Sequence, residues 1–234
     1  MRLDGLQQGV FLSRENRFLA MVELDGAPTP CHVPNSGRLR ELLVPGVPAR
    51  VRPLRPGLRT QARLVMVQHQ GHWVAVDAQL TNAVAREAVE SGIVSSLAEI
   101  KGLRSEVVHG DSRFDMAGVV EERPCYIEVK CSTLVREGIA LFPDAPTERG
   151  GKHLRELTAL VGEGAVCCVL FLLQHPAARS FAPNRETDPQ FATLLEEAIA
   201  AGVQVWAVRC QSGPDFLTAV SAERVMELRV RNDR

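Results

Sequence analysis

Lysine is absent from the first 76 residues of this 234-residue chain, although ten arginines stand there against five acids. That stretch carries a net charge of +5, while the remainder, with 17 basic and 23 acidic residues, carries −6. Basicity supplied by arginine alone suits phosphate, because the guanidinium fork matches its oxygens. Aromatics are equally scarce, at 5% overall, with Phe11, Phe18 and Trp73 the ones in the basic part. This weakens a role built on many stacked bases. No apolar run reaches the roughly 18 residues of a membrane span. The first residues, Met1 to Gln8, lack the long apolar segment of a secretory signal. No Cys-x-x-Cys pair occurs among the six cysteines, which argues against a zinc site or a disulfide framework. The expectation is a reduced, cytoplasmic protein that does not touch a membrane. No helix-turn-helix pattern stands out either.

What is present begins with short strands. Val10–Ser13, Arg17–Leu24, Thr29–Val33, Ala49–Leu54, Arg63–Gln68 and His72–Val76 alternate or run apolar between Gly, Pro and Asn turns. So many strands in under 80 residues predict a small barrel. Asn35 to Leu43 interrupts them with a helical turn capped by Asn35 or Ser36. Free N–H groups at that cap, with Arg38 and Arg40 beside them, would seat a phosphate. A plain helix cap in a barrel crossover is the competing reading.

From Asp77 the period changes. Leu80, Val84, Ala88 and Val89 form a helical stripe capped by Thr81 or Asn82 and ending near Gly92. Leu103–His109 reads as a strand. Arg113 to Lys130 then reads as a hairpin around Glu121-Glu122-Arg123-Pro124. Pairing Val120 with Cys125 sets Asp115 opposite Lys130 and Ala117 opposite Glu128. With a period of two, Asp115, Glu128 and Lys130 then share one face and Ile127, Val129 and Cys131 the other. Two carboxylates and an ammonium on one patch suit a hard divalent cation beside a water-handling lysine. A cross-strand salt bridge is the bland alternative. Downstream, Thr147 caps a helix to about Val161, and Arg149, Lys152, His153 and Glu156 cluster at its start. The basic ones are expected to hold a phosphate. Ala165–Leu173 is a buried strand, Phe191–Ala201 a helix and Val203–Val208 a last strand, an α/β order with a mixed sheet.

Four blocks carry a family resemblance: Cys31-His-Val-Pro-Asn-Ser-Gly-Arg-Leu39, Ser112-Arg-Phe-Asp115, Glu128-Val-Lys130, and Phe142-Pro-Asp-Ala-Pro-Thr-Glu-Arg-Gly150 with Lys152-His153-Leu154. In this order they closely resemble the sugar fermentation stimulation protein A (SfsA) family over essentially the whole chain. The resemblance implies an OB-like nucleic-acid-binding barrel over 1–76 and an α/β domain of the PD-(D/E)XK nuclease type over 77–234. Phe114-Asp115 stands where that signature has Pro-Asp. It further implies Glu87 as a candidate third acid from the first helix, although a solvated glutamate is the commoner case. The expected activity is a nuclease using Mg²⁺ or Mn²⁺, held by Asp115, Glu128 and the Val129 carbonyl, with Lys130 handling the water. Nucleic-acid contacts are expected from Asn35, Arg38, Arg40, Arg113, Arg149, Lys152 and His153. DNA is the expected partner, with RNA and a homodimer left open. The alternative is a DNA-binding regulator of sugar-utilisation genes without turnover. A small-molecule phosphate sensor ranks last.

Overall fold

The computed structural model describes residues 1–35 and 37–226. Six strands come first: β1 Gln7–Asn16, β2 Leu19–Leu24, β3 Ala27–His32, β4 Pro48–Pro53, β5 Ala62–His69 and β6 His72–Ala75. Their order is β3-β2-β1-β4-β5-β6, and β3 also pairs with β5, so five strands close a barrel. Alternate residues point inward, such as Ala20 and Val22 in β2 and Ala49 and Val51 in β4, to meet Phe11, Leu64 and Val74. Asp25-Gly26 joins β2 to β3 with both residues at positive φ, as a two-residue hairpin requires. The six strands fall on the six predicted segments.

The helical turn does not start where expected. Leu42 and Leu43 both donate to the Leu39 carbonyl, at 3.1 and 2.9 Å, so a single turn begins at Leu39. Ser36, one of the two expected caps, lies outside the described residues. Asn35 instead closes an Asx turn, its Oδ1 accepting the Gly37 N–H at 2.8 Å. The Leu39 N–H goes to Asp144 Oδ2 at 3.1 Å. These two amides are therefore engaged within the protein and do not form the free phosphate seat that was expected.

The second part contains α1 Ala78–Glu90, β7 Lys101–His109, β8 Ser112–Val120, β9 Arg123–Ser132, β10 Leu134–Arg136, β11 Ile139–Phe142 and α2 Glu148–Gly162. After these come β12 Val166–Leu173, β13 Ser180–Pro183, α3 Pro189–Ala201, β14 Gln204–Gly213 and β15 Phe216–Arg224. The main sheet runs β15-β14-β12-β9-β8-β7 and is mixed: β12 is parallel to β9 and β14, and the other pairs are antiparallel. All eight residues of β12 are buried, as its unbroken apolar run predicts. One face of the sheet packs Met116, Ile127, Leu170 and Leu172 against Leu80, Val84, Ala85 and Ala88 of α1. The other packs Phe114, Val169, Phe171 and Leu173 against Leu154 and Leu157 of α2 and Leu195 of α3. The result is a sheet with helices on both faces. Strands β10, β11, β13 and β15 have no counterpart in the sequence reading; three of them are only three or four residues long. All six cysteines are free thiols, five of them buried. None of the described helices is long and apolar enough to cross a membrane.

The cap of α1 is Asp77, upstream of the two residues expected, and its Oδ1 accepts the Gln79 N–H at 2.9 Å. Thr81 and Asn82 lie inside the helix, where their side chains serve contacts beyond it. Thr81 Oγ1 accepts from Gln174 Nε2 at 2.9 Å, and Asn82 reaches the hairpin.

A histidine contact ties barrel to sheet. His175, just after β12, lies with Nε2 3.0 Å from His69 Nδ1, while its Nδ1 accepts the Ala177 N–H at 3.2 Å. The His72 ring stands 5.6 Å away. Burial, then His69 and His72, push His175 down from 6.5 to about 4. The folded chain therefore resists a proton that the unfolded chain accepts. This contribution to stability is complete above pH 6.5 and is lost as pH falls towards 4. The urea midpoint is expected to drop between pH 7 and pH 4.5, and less steeply in His175→Gln than in the wild type. Equal slopes in the two proteins would exclude His175 as a source of acid lability.

Candidate active site

Two residues turn the central hairpin. Glu121 and Glu122, both at positive φ, connect Val120 directly to its partner Arg123. The expected turn was four residues long and included Arg123 and Pro124; those two belong to β9. The observed pairs run from Val120–Arg123 to Met116–Ile127, a register two residues away from the expected one. A shift of two keeps each side chain on its own face, whereas a shift of one would have reversed them all. Ile127 and Val129 thus pack on the α1 side, and Glu128 looks towards α2.

Asp115 sits where alternation breaks. Phe114 lies in the core under α2 and Met116, two residues on, in the core under α1. Regular pairing with β9 stops at Met116, and the Asp115 carboxylate takes over from the backbone. Its Oδ2 accepts the Val129 N–H at 2.8 Å, and its Oδ1 accepts from Asn82 Nδ2 at 3.0 Å. A strand residue is thereby held against the next strand and the opening of α1.

Glu128 is only 4% exposed. Its Oε1 lies 2.5 Å from Lys130 Nζ and 2.5 Å from His153 Nδ1 on α2. Its Oε2 is buried with no hydrogen-bond partner. Burial pushes the Glu128 carboxyl up, but the His153 hydrogen bond and the Lys130 ammonium outweigh it, leaving Glu128 below the ordinary glutamate value. Asp115 goes the other way. Burial and then the Glu128 charge raise it, offset only in part by the Val129 amide, Lys130 and Asn82. A carboxylate whose proton affinity is raised by its neighbour's charge, beside one with an unused buried oxygen, is what a cation would relieve. Among the described residues no three His, Cys, Asp or Glu side chains form a metal site by themselves. A cation here would draw on two carboxylates, the Val129 carbonyl and water. That donor set fits Mg²⁺ or Mn²⁺, which keep several waters.

These groups face a cavity of about 380 Å³ between the barrel and the sheet. Asn35 and Gly37 of the barrel, Thr81 and Asn82 of α1, and the Phe142–Thr147 loop line it with Asp115, Glu128, Val129 and Lys130. Thr147 caps α2 as expected, with Oγ1 accepting the Gly150 N–H at 3.0 Å, and this brings Arg149 to the cavity wall. Arg38 and Arg40 line an adjoining depression with Arg14 and Arg17. Arg14 there donates to the carbonyls of Arg17 and Gly37, at 2.8 and 3.0 Å, and so ties the two together.

Other expected contacts lie elsewhere. His153 is buried and turned inward to Glu128, so it is not a surface phosphate contact. Lys152 donates to the Asp111 carbonyl at 3.1 Å and pairs with Glu156, away from the cavity lining. Arg113 is exposed beside Glu106 and also outside the lining. Glu87 is not a third acid of this site: it is half exposed and pairs with the N-terminal ammonium at 3.2 Å. Its helix contributes Asn82 instead. By spacing alone Asn82 reads as a cap, and no local pattern marks Asp144 or Arg17 as part of the cavity wall. Asn82 does carry one signal, since it lies off the Leu80–Val84–Ala88 stripe and was free to face something other than core.

Residues 12–76 match the family described as the SfsA N-terminal OB domain, and residues 79–216 match the sugar fermentation stimulation protein RE domain. A sugar fermentation stimulation protein homolog of Desulforamulus reducens is 46% identical over 208 residues, covering 89% of this chain and 87% of that protein. A homolog of Caldanaerobacter subterraneus is 41% identical over 221 residues, covering 94% and 96%. Among solved structures, Pyrococcus furiosus SfsA in complex with Ca²⁺ superposes with a TM-score of 0.88 at 26% identity, covering 95% of this chain and 96% of that one.

Proposed function

The chain belongs to the sugar fermentation stimulation protein (SfsA) family, and from that premise we propose that it is a divalent-metal-dependent nuclease acting on DNA. The observation that carries this reading is that two carboxylates, Asp115 and Glu128, line one cavity with Lys130, which binds Glu128 Oε1, while the Glu128 Oε2 is buried and unpartnered. An uncompensated buried carboxylate oxygen costs free energy, and a cation supplies the missing partner. The Pyrococcus furiosus relative was solved with Ca²⁺, an oxygen-seeking ion of the same hard class.

Asp115, Glu128 and the Val129 carbonyl would hold Mg²⁺ or Mn²⁺. Such an ion polarises a phosphoryl oxygen and makes water a better nucleophile near neutral pH. Lys130 orients the attacking water and offsets charge that builds on the phosphorus. His153 keeps the Glu128 carboxylate in place from α2. Arg149, exposed at the cavity wall, holds the phosphate that enters. A second reading, a DNA-binding regulator without turnover, rests on the arginine-only basicity of the barrel, which would hold DNA without using the carboxylates. Incubating pure protein with labelled single- and double-stranded DNA in Mn²⁺, Mg²⁺ or EDTA separates the two. Cutting by the wild type that EDTA stops, and that the Asp115 and Glu128 variants lack, supports the enzyme. No cutting with any divalent ion leaves the regulator.

The arginines of the barrel give a prediction of their own. Phosphate contacts release counterions, so affinity should fall steeply between low and moderate salt. Arg38 is exposed in the depression, and Arg38→Ala is expected to weaken all DNA sequences alike and to flatten the log–log salt slope by about one unit. Fluorescence anisotropy at three salt concentrations reads this directly. An unchanged slope would remove Arg38 from the DNA path.

A further inference from the structure

We infer that the substrate reaches the carboxylates as a single strand, led from the arginine depression of the barrel into the cavity, with a stacking platform at Phe18 beside the Arg17 that lines both. This deepens the nuclease reading by naming the form of DNA that fits the site.

The first observation is how the cavity is walled. Asn35, Gly37 and Leu39 of the barrel stand on one side and the Phe142–Thr147 loop on the other, and the two sides touch through the Leu39 N–H and Asp144 Oδ2 at 3.1 Å. The contact is close: a Cβ on Gly37 would stand 2.8 Å from that same Asp144 oxygen. Glu128, at the bottom, is almost fully buried. The space of about 380 Å³ is of the order of one nucleotide unit. A phosphate in a duplex arrives with a stacked neighbour on each side and a paired strand behind it. Bringing it within hydrogen-bond reach of Lys130 would drive that second strand into the barrel. An unpaired nucleotide can leave its stack and enter alone, as nucleotides do in enzymes that act on extruded bases.

The second observation is the approach. The depression lined by Arg14, Arg17, Arg38 and Arg40 adjoins the cavity, and Arg17, Gly37 and Ala145 line both. Next to Arg17, the Phe18 side chain is 48% exposed, a large apolar ring where burial would be the rule. The Arg17 guanidinium lies 5.5 Å from its centroid, and the His32 ring is tilted 6.4 Å away. Cationic groups that follow a backbone, with an aromatic face beside them, make up the usual device for holding unpaired strands. The scarcity of aromatics in this barrel leaves Phe18 to supply the platform. Duplex DNA has no use for it, because its bases are already stacked.

Binding and cutting test this separately. In Ca²⁺ and again in EDTA, anisotropy is measured with a fluorescein-labelled 12-nucleotide single strand and with the blunt duplex of the same sequence. The single strand is expected to bind at least tenfold tighter. Phe18→Ala should lose at least fivefold on the single strand and little on the duplex, and Phe18→Trp should restore it. Being exposed, position 18 tolerates both changes without loss of fold, which circular dichroism checks. Equal or tighter binding of the duplex, no binding of either, or an unaltered Phe18→Ala affinity overturns the inference. In Mn²⁺, a single-stranded circle should be cut and a covalently closed relaxed duplex circle spared. Equal cutting of both circles defeats the single-strand inference and leaves the nuclease reading standing. Single-strand preference without any cutting does the reverse.

Discussion

Glu128→Ala is expected to lose divalent-metal binding at this site and, with it, all metal-dependent cutting of DNA. The side chain is almost fully buried, and its unpartnered Oε2 is the feature that most calls for a cation. Removing it leaves Asp115 as the single carboxylate of the proposed ligand set. Mn²⁺ titration followed by electron paramagnetic resonance should show a bound ion in the wild type and none in the variant. Asp115→Ala should give the same result for a different structural reason. Both Asp115 oxygens are engaged, so its removal strands the Val129 N–H and the Asn82 amide and should cost about 1–3 kcal/mol of stability. Asp115→Asn separates the two effects, because the amide keeps one acceptor oxygen for Val129 and removes the charge. It should fold close to wild type and still fail to bind Mn²⁺. Full Mn²⁺ occupancy in Glu128→Ala and Asp115→Asn would show that the ion, if any, sits elsewhere.

Lys130→Ala is expected to keep the ion and lose the turnover. Lys130 contributes an ammonium 2.5 Å from Glu128 Oε1 and is not itself a metal ligand. Removing a positive charge beside a cation site should leave Mn²⁺ affinity unchanged or slightly raised. General acid–base and charge-stabilising groups contribute about 10² to 10⁴ in rate, so a time course on a gel should show the loss plainly. Glu128 keeps its His153 partner in the variant, so the carboxylate stays placed while its proton affinity rises towards the ordinary value. Measurement at pH 8 keeps it ionised. If Lys130→Ala loses Mn²⁺ and cutting together, Lys130 only holds Glu128 in position. If it cuts at the wild-type rate, Lys130 has no part in the chemistry.

Much of the architecture could be read locally. The Thr147 cap, the buried β12 and the barrel strands depend on residues a few positions apart, where helical or strand periodicity and capping chemistry act directly. The hairpin was harder. Pro124 looked like part of a turn, but the chain bends at Glu121-Glu122, both in the left-handed region that non-glycine residues seldom occupy. The error in register was even, so Glu128 and Lys130 kept their face. What the pattern does not display is the break in alternation between Phe114 and Met116, where the Asp115 carboxylate bonds the Val129 N–H and Asn82 in place of regular strand pairing.

The sequence alone determined the six barrel strands, the three helices and the central strands of the sheet in their order, the charge difference between the two parts, and the acid, acid and lysine proposed for the site. Each follows from residue type and short-range spacing. Tertiary structure decided which other groups stand with them. Asn82 reaches Asp115 across 33 positions, and Asp144 reaches Leu39 across 105, to close the cavity wall. It also turned His153 inward to Glu128 and sent Glu87 out to the N-terminus. Such pairings depend on how the barrel docks on the sheet and how α1 and α2 lie across its two faces. Those placements come from the packing of whole apolar surfaces, and no spacing between polar residues along the chain encodes them.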